Sequence, residues 1–399
     1  MADQRKLPDL LTGYVEYQNN TEPPELYKKW CGVSLIAAAL QRKVHARWGT
    51  LCFYPNFYII LVGPPGKARK GTAMRMMREH VEHLQLGTAA EATTREALIQ
   101  SLAEVGTLNN MSTSPLSINL YQHSSMTIFS EELTSLIGYN SKELMANLAD
   151  WFDCANKWTY RTKTAGVSEI TNIFVNMIGA TTPELLQETM PIDMIGGGLS
   201  SRILFIYAKG KGKRVVCPEL SAEEKSMRDD VNHDLEQLYQ MRGQFKYSRD
   251  FIEAWAEWYL NKPETCPLKS RFLHYYWERR EVHLMKLSMI CSASRGNEMV
   301  IRASDLARAN EMLTEAEIYM PYAFHGMGHR DDAAIVSNVV NTITELGETT
   351  VRILLQHFYT DLTLEQLHGI LNLLSTKGFC KLVKSTDANW KVIHIKGNI

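Results

Sequence analysis

Between Gly63 and Thr72 the chain reads GPPGKARKGT, which brings three glycines, three cations and a hydroxyl together within ten residues. These residue types suit a phosphate chain. Backbone without a Cβ approaches an anion closely, a lysine neutralises the β and γ phosphates, and a threonine hydroxyl ligates magnesium. The stretch Gly63, Pro64, Pro65, Gly66, Lys67, Ala68, Arg69, Lys70, Gly71 and Thr72 is therefore the candidate site for ATP and Mg2+. Lys70 is the phosphate clamp and Thr72 a metal ligand. The flanking pattern fits this use: YIILV before it reads as a buried parallel strand, and Ala73 to His80 reads as a helix. A helix N-terminus there aims unpaired N–H groups and a positive dipole at one spot.

The spacing departs from GxxxxGK[ST]. Six residues separate Gly63 from Lys70 instead of five, Arg69 stands where glycine is expected, and Gly71 divides the lysine from the threonine. The Lys-Gly-Thr order is similar to the loop of adenylate kinases and some phage ATPases. A Gly/Pro turn that only joins a strand to a helix is the competing account.

About sixty residues on, an apolar strand over Met126 to Ser130 ends in Glu131 and Glu132. Hydrolysis of a phosphoanhydride needs one carboxylate near the metal and a second to deprotonate water, so Glu131 is assigned the metal role and Glu132 the base role. Paired acids also favour a helix start through its dipole alone. Thr182 follows the apolar strand Ile170 to Ala180 and is placed to position the lytic water. Arg202 follows a Gly/Ser-rich turn and enters the strand Ile203 to Tyr207, which suits a finger that neutralises a neighbouring subunit's γ-phosphate. Arg280, on an amphipathic helix, is a further nucleotide contact or simply part of a charged helix face.

Lys157, Arg161 and Lys163 alternate with aromatic residues around a Gly166 turn. Such a hairpin either grips a single-stranded DNA backbone or presents a solvated face. Lys209 to Arg214 is basic and glycine-interrupted, most simply a solvated loop. His325 and His329 lack a third ligand, which argues against a metal there.

A net charge of −1 means that any nucleic-acid contact rests on local patches. No apolar run reaches membrane-spanning length, and seven scattered cysteines without CxxC spacing point to a reduced, cytoplasmic protein. The expected architecture is α/β in four parts: a helical lead-in over 1–53, a core over 54–215, a helical lid over 216–320 and a terminal domain over 333–399. Leu133 to Trp158 and Ser221 to Asn310 read as helical. The last part reads helix, helix, helix, hairpin, which is a winged-helix outline, with Leu364 to Lys377 as its recognition helix.

Taken in order, GPPGKARKGTA, FSEEL, the aromatic-basic hairpin, GATTPELL, GLSSR and ERREVHLMKLSM resemble the primase-associated, helicase-like replicative ATPases of phages and mobile elements. These are relatives of the AAA+ ring motors that include minichromosome-maintenance helicases. The resemblance covers about Tyr54 to Glu317 and rests on order and spacing more than on any one motif. It implies a P-loop NTPase (AAA+-like) core, a homo-oligomeric, hexameric ring, ATP-driven helicase or translocase activity on single-stranded DNA, and replication partners met through the winged helix. By it, Lys70, Thr72, Glu131, Glu132, Thr182 and Arg202 fall on the family's nucleotide-site positions. Two departures, Arg69 and Glu-Glu in place of Asp-Glu, leave the hydrolysis rate open. The primase that precedes the core in many such proteins is expected to be absent, with about fifty residues before it. A DNA-bound ATPase that loads a helicase or marks an origin is the alternative function, and a nucleotide kinase a more distant one.

Overall fold

The computed structural model describes residues 5–89, 94–110, 120–138, 141–162, 166–190, 198–268, 270–324, 331–359, 362–384 and 390–395. The chain divides into two compact units, Met1–His325 and Gly326–Ile399.

The first unit opens with helices α1 (Leu10–Glu16) and α2 (Glu25–Leu40), strands β1 (Val44–Trp48), β2 (Leu51–Phe53) and β3 (Tyr58–Val62), and helices α3 (Lys70–His83) and α4 (Arg95–Glu104). Next come strands β4 (Thr107–Asn110) and β5 (Leu120–Ser130), helices α5 (Leu133–Ile137) and α6 (Lys142–Phe152), and strands β6 (Lys157–Thr162), β7 (Gly166–Thr171) and β8 (Ile173–Thr181). Helix α7 (Pro183–Thr189), strand β9 (Ile203–Tyr207), helix α8 (Ala222–Gln240), strand β10 (Gly243–Tyr247) and helices α9 (Arg249–Asn261) and α10 (His274–Arg295) follow. Strand β11 (Val300–Ile301) and helix α11 (Ala303–Tyr319) complete the unit.

Its centre is a five-stranded sheet in the order β4-β5-β8-β3-β9. β5, β8, β3 and β9 run parallel, and β4 is antiparallel at the edge. Every residue of β3 and β8 is buried, so both faces of the sheet are covered and the strands read as unbroken apolar runs. The fold class is α/β with a parallel sheet.

Two segments differ from the sequence expectation. Leu133 to Trp158 is not one helix: Gly138 ends α5 at φ +67, a conformation open to glycine, and β6 already begins at Lys157. Within Ser221 to Asn310, which reads as helical throughout, β10 lies parallel to β1 and to β11 in a second sheet ordered β11-β10-β1-β2. Five alternating residues, GQFKY, are too short a period-2 signal to stand out between two long helices. Lead-in and lid segments are thereby joined by backbone hydrogen bonds within one compact unit.

The second unit holds α12 (Asp331–Leu346), β12 (Glu348–Thr350), α13 (Val351–His357), α14 (Leu364–Thr376), β13 (Cys380–Lys384) and β14 (Trp390–His394). An antiparallel sheet β12-β14-β13 packs with the helices around Ile343, Leu354, Leu371 and Val392. Strand β12 leaves no mark in the sequence pattern because its three residues adjoin a helix that Thr350 caps through the Ile353 N–H.

Candidate functional site

Strand β3 delivers the glycine-rich turn to the carboxyl end of the sheet. A Cβ on Gly63 would lie 2.5 Å from the Ala208 carbonyl oxygen and 2.7 Å from the Tyr27 hydroxyl, so only glycine fits there. The Gly63 N–H is fixed at the same point by the Thr181 carbonyl, 3.3 Å away. Pro65, Gly66 and Lys67 are exposed at the crest of the turn, Pro64 is half-buried and Ala68 is buried. Arg69 then takes a left-handed conformation, φ 56, immediately before α3. This explains why glycine is the expected residue there: any side chain in that region costs about 1–2 kcal/mol. The Glu22 carboxylate, 2.7 Å from the Arg69 Nε, holds the strained residue in place.

Lys70 is the first residue of α3, and its ammonium donates to the carbonyls of Gly63 at 2.5 Å and Pro64 at 3.4 Å. Burial lowers its pKa, while Glu184 in the first turn of α7 acts in the opposite direction. Glu184 lies within GATTPELL but carries no role in the sequence reading. The N–H groups of Lys70, Gly71 and Thr72 belong to the first turn, which has no intrahelical acceptors for them. Gly71 and Thr72 are half-buried.

The two acids arrive at the same edge. In register, Ser130 at the end of β5 lies beside Gly179 of β8, which lies beside Ile60 of β3. Glu131 and Glu132 therefore continue past the sheet on the side of the turn, separated from it by one intervening strand, about 10 Å by strand spacing. Both are exposed. Glu132 precedes α5 and accepts from the Thr134 hydroxyl at 3.4 Å, and its carbonyl accepts from Ser130 Oγ at 2.9 Å. Thr182 caps α7, its hydroxyl accepting from the Leu185 N–H at 3.2 Å. The threonine that touches the turn directly is Thr181.

Arg202 occupies the opposite end of the sheet. Ile203 is paired with Tyr58, the first residue of β3, so the strand's length, roughly 15 Å, separates Arg202 from the turn of its own chain. Its guanidinium is buried and bonds to Asp153 and to the Gly198 carbonyl, with Nε lacking a partner among the described residues. Arg279 reaches the same carboxylate at 3.7 Å. The glycines 196 and 197 that precede this segment lie outside the described residues.

Arg280 is not brought to the turn. It is buried in an ion pair with Glu317 at 2.6 Å, and its remaining hydrogen bonds go to Asn310 and Thr314, all on α11. The helical period that makes residue 280 a candidate also turns it inward, and only packing against α11 decides which cation of the Arg279–Arg280 pair faces out.

The hairpin β6–β7 carries Lys157 and Arg161, both exposed, while Lys163 lies outside the described residues. Trp158 stacks on Tyr160 with centroids 6.0 Å apart and meets Trp151 edge-on. Lys157 is ion-paired with Glu169 at 2.7 Å. The root of the hairpin is tied down by buried Arg42, which donates to the carbonyls of Cys154 and Ile173 and to Asn156 Oδ1. Nothing in the sequence marks Arg42 for this role, since its partners are two backbone carbonyls, the Tyr121 hydroxyl and Asn156, all distant in the chain.

No family model and no curated protein matches the sequence. Among the described residues, no helix is long and apolar enough to cross a membrane, and no group of three or more His, Cys, Asp or Glu side chains is arranged to hold a metal.

Proposed function

We propose that the chain is the ATP-hydrolysing subunit of a ring-forming DNA helicase or translocase, with an AAA+-like P-loop core and a winged helix as its second unit. The observation that carries this reading is the meeting of the β3–turn–α3 unit and the acid-ended β5 at one edge of a parallel sheet, with β8 between them. The chain leaves β3 toward β5 but leaves β8 toward β9, on the other side of β3. The turn thus sits where the strand order reverses, which is where open α/β sheets bind ligands.

In this reading the turn and the first N–H groups of α3 cradle the phosphates, and Lys70 swings from the Gly63 carbonyl to the β and γ oxygens. Glu132 accepts the proton of the attacking water. Thr72 and Glu131 are hard oxygen donors on one edge, a set that fits magnesium with phosphate and water completing its shell. The ion's contribution there is to neutralise charge on the phosphates. Thr182 keeps its helix-capping bond, so the water-positioning duty at the end of β8 is shared with Thr181. Arg202, out of reach of its own turn, serves the neighbouring subunit's nucleotide in the ring. The hairpin contacts single-stranded DNA, and the second unit meets DNA or replication proteins.

Hydrolysis of ATP should rise on adding single-stranded DNA and should drive displacement of an annealed strand. Lys70→Ala should lower the rate by about 10²–10³-fold, and Glu132→Gln should block turnover while ATP still binds. Hydrolysis untouched by Lys70→Ala sinks the assignment of the turn. Stimulated hydrolysis without strand displacement points instead to a loader or initiator.

A further inference from the structure

The basic segment after β9 does not project into solvent alone. It folds against the lead-in, where the Gly212 N–H donates to the Glu22 carbonyl at 3.0 Å and a Cβ on Gly212 would come within 3.1 Å of Pro24. This places it across from the turn. Between them lies an open pocket of about 570 Å³ lined by Gly66, Gly210 and Gly212 and by five cations, Lys67, Arg69, Lys211, Lys213 and Arg214, with no acidic residue in the lining.

Among the described residues, a single carboxylate reaches these cations from beneath. Glu22 Oε2 accepts from Arg69, and Oε1 accepts from Lys211 and, at 3.4 Å, from the Val215 N–H. Hydrogen bonds from Lys211 and Arg69 hold that carboxyl well below the usual range, at about 2. An oxyanion is thus already bound here by donors from both sides of the pocket, and it is one charge against five. Among the described residues, Lys213 has only Asn19 Oδ1 at 3.5 Å, and Lys67 and Arg214 have no ion-pair partner.

We propose that this pocket is a polyphosphate site, in which a phosphate chain engages Lys67, Lys211, Lys213 and Arg214 and competes with the Glu22 carboxylate for Arg69 and Lys211. Phosphate fits better than carboxylate as the class of ligand: it presents several charged oxygens around each phosphorus, and a chain of them spans cations spread over a pocket this wide. Gly210, with open space where a Cβ would stand, lets the backbone of the segment approach as well. The pocket shares Gly66, Lys67 and Arg69 with the turn, so the proposal rests on the nucleotide reading of that turn and extends it to the segment after β9; the Lys70 ammonium faces the Gly63 and Pro64 carbonyls and does not line the pocket.

The test is calorimetric titration of the full chain with inorganic tripolyphosphate. Replacing Lys211, Lys213 and Arg214 together by Gln alters only exposed side chains and should weaken binding by about tenfold or more. Glu22→Gln removes the internal competitor and should tighten it several-fold. Because Lys70 is the clamp assigned to the β and γ phosphates, the same triple replacement is also made in the Lys70→Ala protein, where tripolyphosphate binding that remains and then falls about tenfold belongs to this pocket whether or not the hydrolysis reading holds. Competition by ATP in the Lys70→Ala protein identifies a nucleotide's phosphates as the ligand, and its absence identifies the inorganic chain. Affinity left unchanged by the triple replacement, in the wild-type and the Lys70→Ala backgrounds alike, overturns the site. Displacement by a single-stranded oligonucleotide at equal phosphate concentration overturns it in favour of a nucleic-acid backbone.

Discussion

Cations gather at both ends of the parallel sheet, and the two ends treat them oppositely. At the carboxyl end, Lys67, Arg69 and Lys70 stand on or beside a turn whose crest is exposed, and Lys70 is satisfied by the backbone carbonyls of Gly63 and Pro64. At the amino end, where α10 crosses, the cations are built into the interior. Lys286 is fully buried, bonded to Asn56 Oδ1 at 2.8 Å and lying 3.7 Å over the Phe152 ring, and burial lowers its pKa to about 8. Arg202 is buried on Asp153. A carbonyl-bound lysine at an open turn is released to a ligand at small cost, whereas a buried cation is held by the desolvation that loss of its partners would leave uncompensated, even where, as with Asp153, the partner itself is exposed. The first arrangement suits binding and the second suits architecture, with Arg202 the residue on which the two readings compete.

That competition can be broken directly. As a finger, Arg202→Ala should lower hydrolysis by about 10³–10⁵-fold while ATP affinity and thermal stability hold. Mixing it with Lys70→Ala, each inactive alone, should restore partial hydrolysis where an intact turn meets an intact arginine. A drop in melting temperature with no recovery in co-assembled mixtures would move Arg202 into the architectural class with Lys286.

Arg280 sharpens the contrast from the buried side. Arg280→Ala strands the Glu317 carboxylate in the interior and should cost about 3–5 kcal/mol in denaturant unfolding. If instead the fold holds and ATP affinity falls, the arginine serves the nucleotide after all.

Acid should weaken the interior before it touches the turn. Burial lowers the pKa of His283 on α10 to about 3, and of His80 on α3 and His123 on β5 to about 4. Each stays neutral in the folded chain and takes up a proton on unfolding once pH falls below about 6.5. Stability is therefore complete above pH 6.5 and is lost as pH drops toward 4, by roughly 2–3 kcal/mol per histidine at pH 4.5. Thermal melts from pH 7.5 to 4.5 should show this slope, and His283→Asn should flatten it. A flat profile in the wild type would contradict the burial of these rings.

The smallest effect is expected at the hairpin. Replacing Lys157, Arg161 and Lys163 by Gln should reduce the salt dependence of single-strand binding by roughly 0.7 in logarithmic slope for each phosphate that is no longer neutralised. Lys157, already paired with Glu169, should contribute less than Arg161 when the two are replaced separately. An unchanged slope returns the hairpin to ordinary surface.

Much of the carboxyl end is legible in the residues themselves. The apolar run before Gly63, the glycines and lysine of the turn, and the strand ending at Ser130 are local signals, because a strand, a tight turn and a helix start are each specified within a few residues. Thr94 as the cap of α4, accepting from the Ala97 N–H at 3.2 Å, is legible for the same reason. Even the oddity at Arg69 is visible as a missing glycine, although its left-handed backbone is not.

What only the tertiary structure decided is which distant residues share an environment. That β8 lies between β3 and β5, that β10 pairs with β1 across some two hundred residues, and that Glu22 reaches Arg69 and Lys211 follow from long-range pairing, which leaves no periodic trace in a single chain. The fate of each cation is settled the same way. Arg279 and Arg280 are adjacent on one helix and chemically identical, yet a rotation of about 100° per residue sends the second against α11 and leaves the first near Asp153. Sequence supplies the charge; packing supplies the dielectric and the partner, and those determine whether the charge is free to meet a ligand.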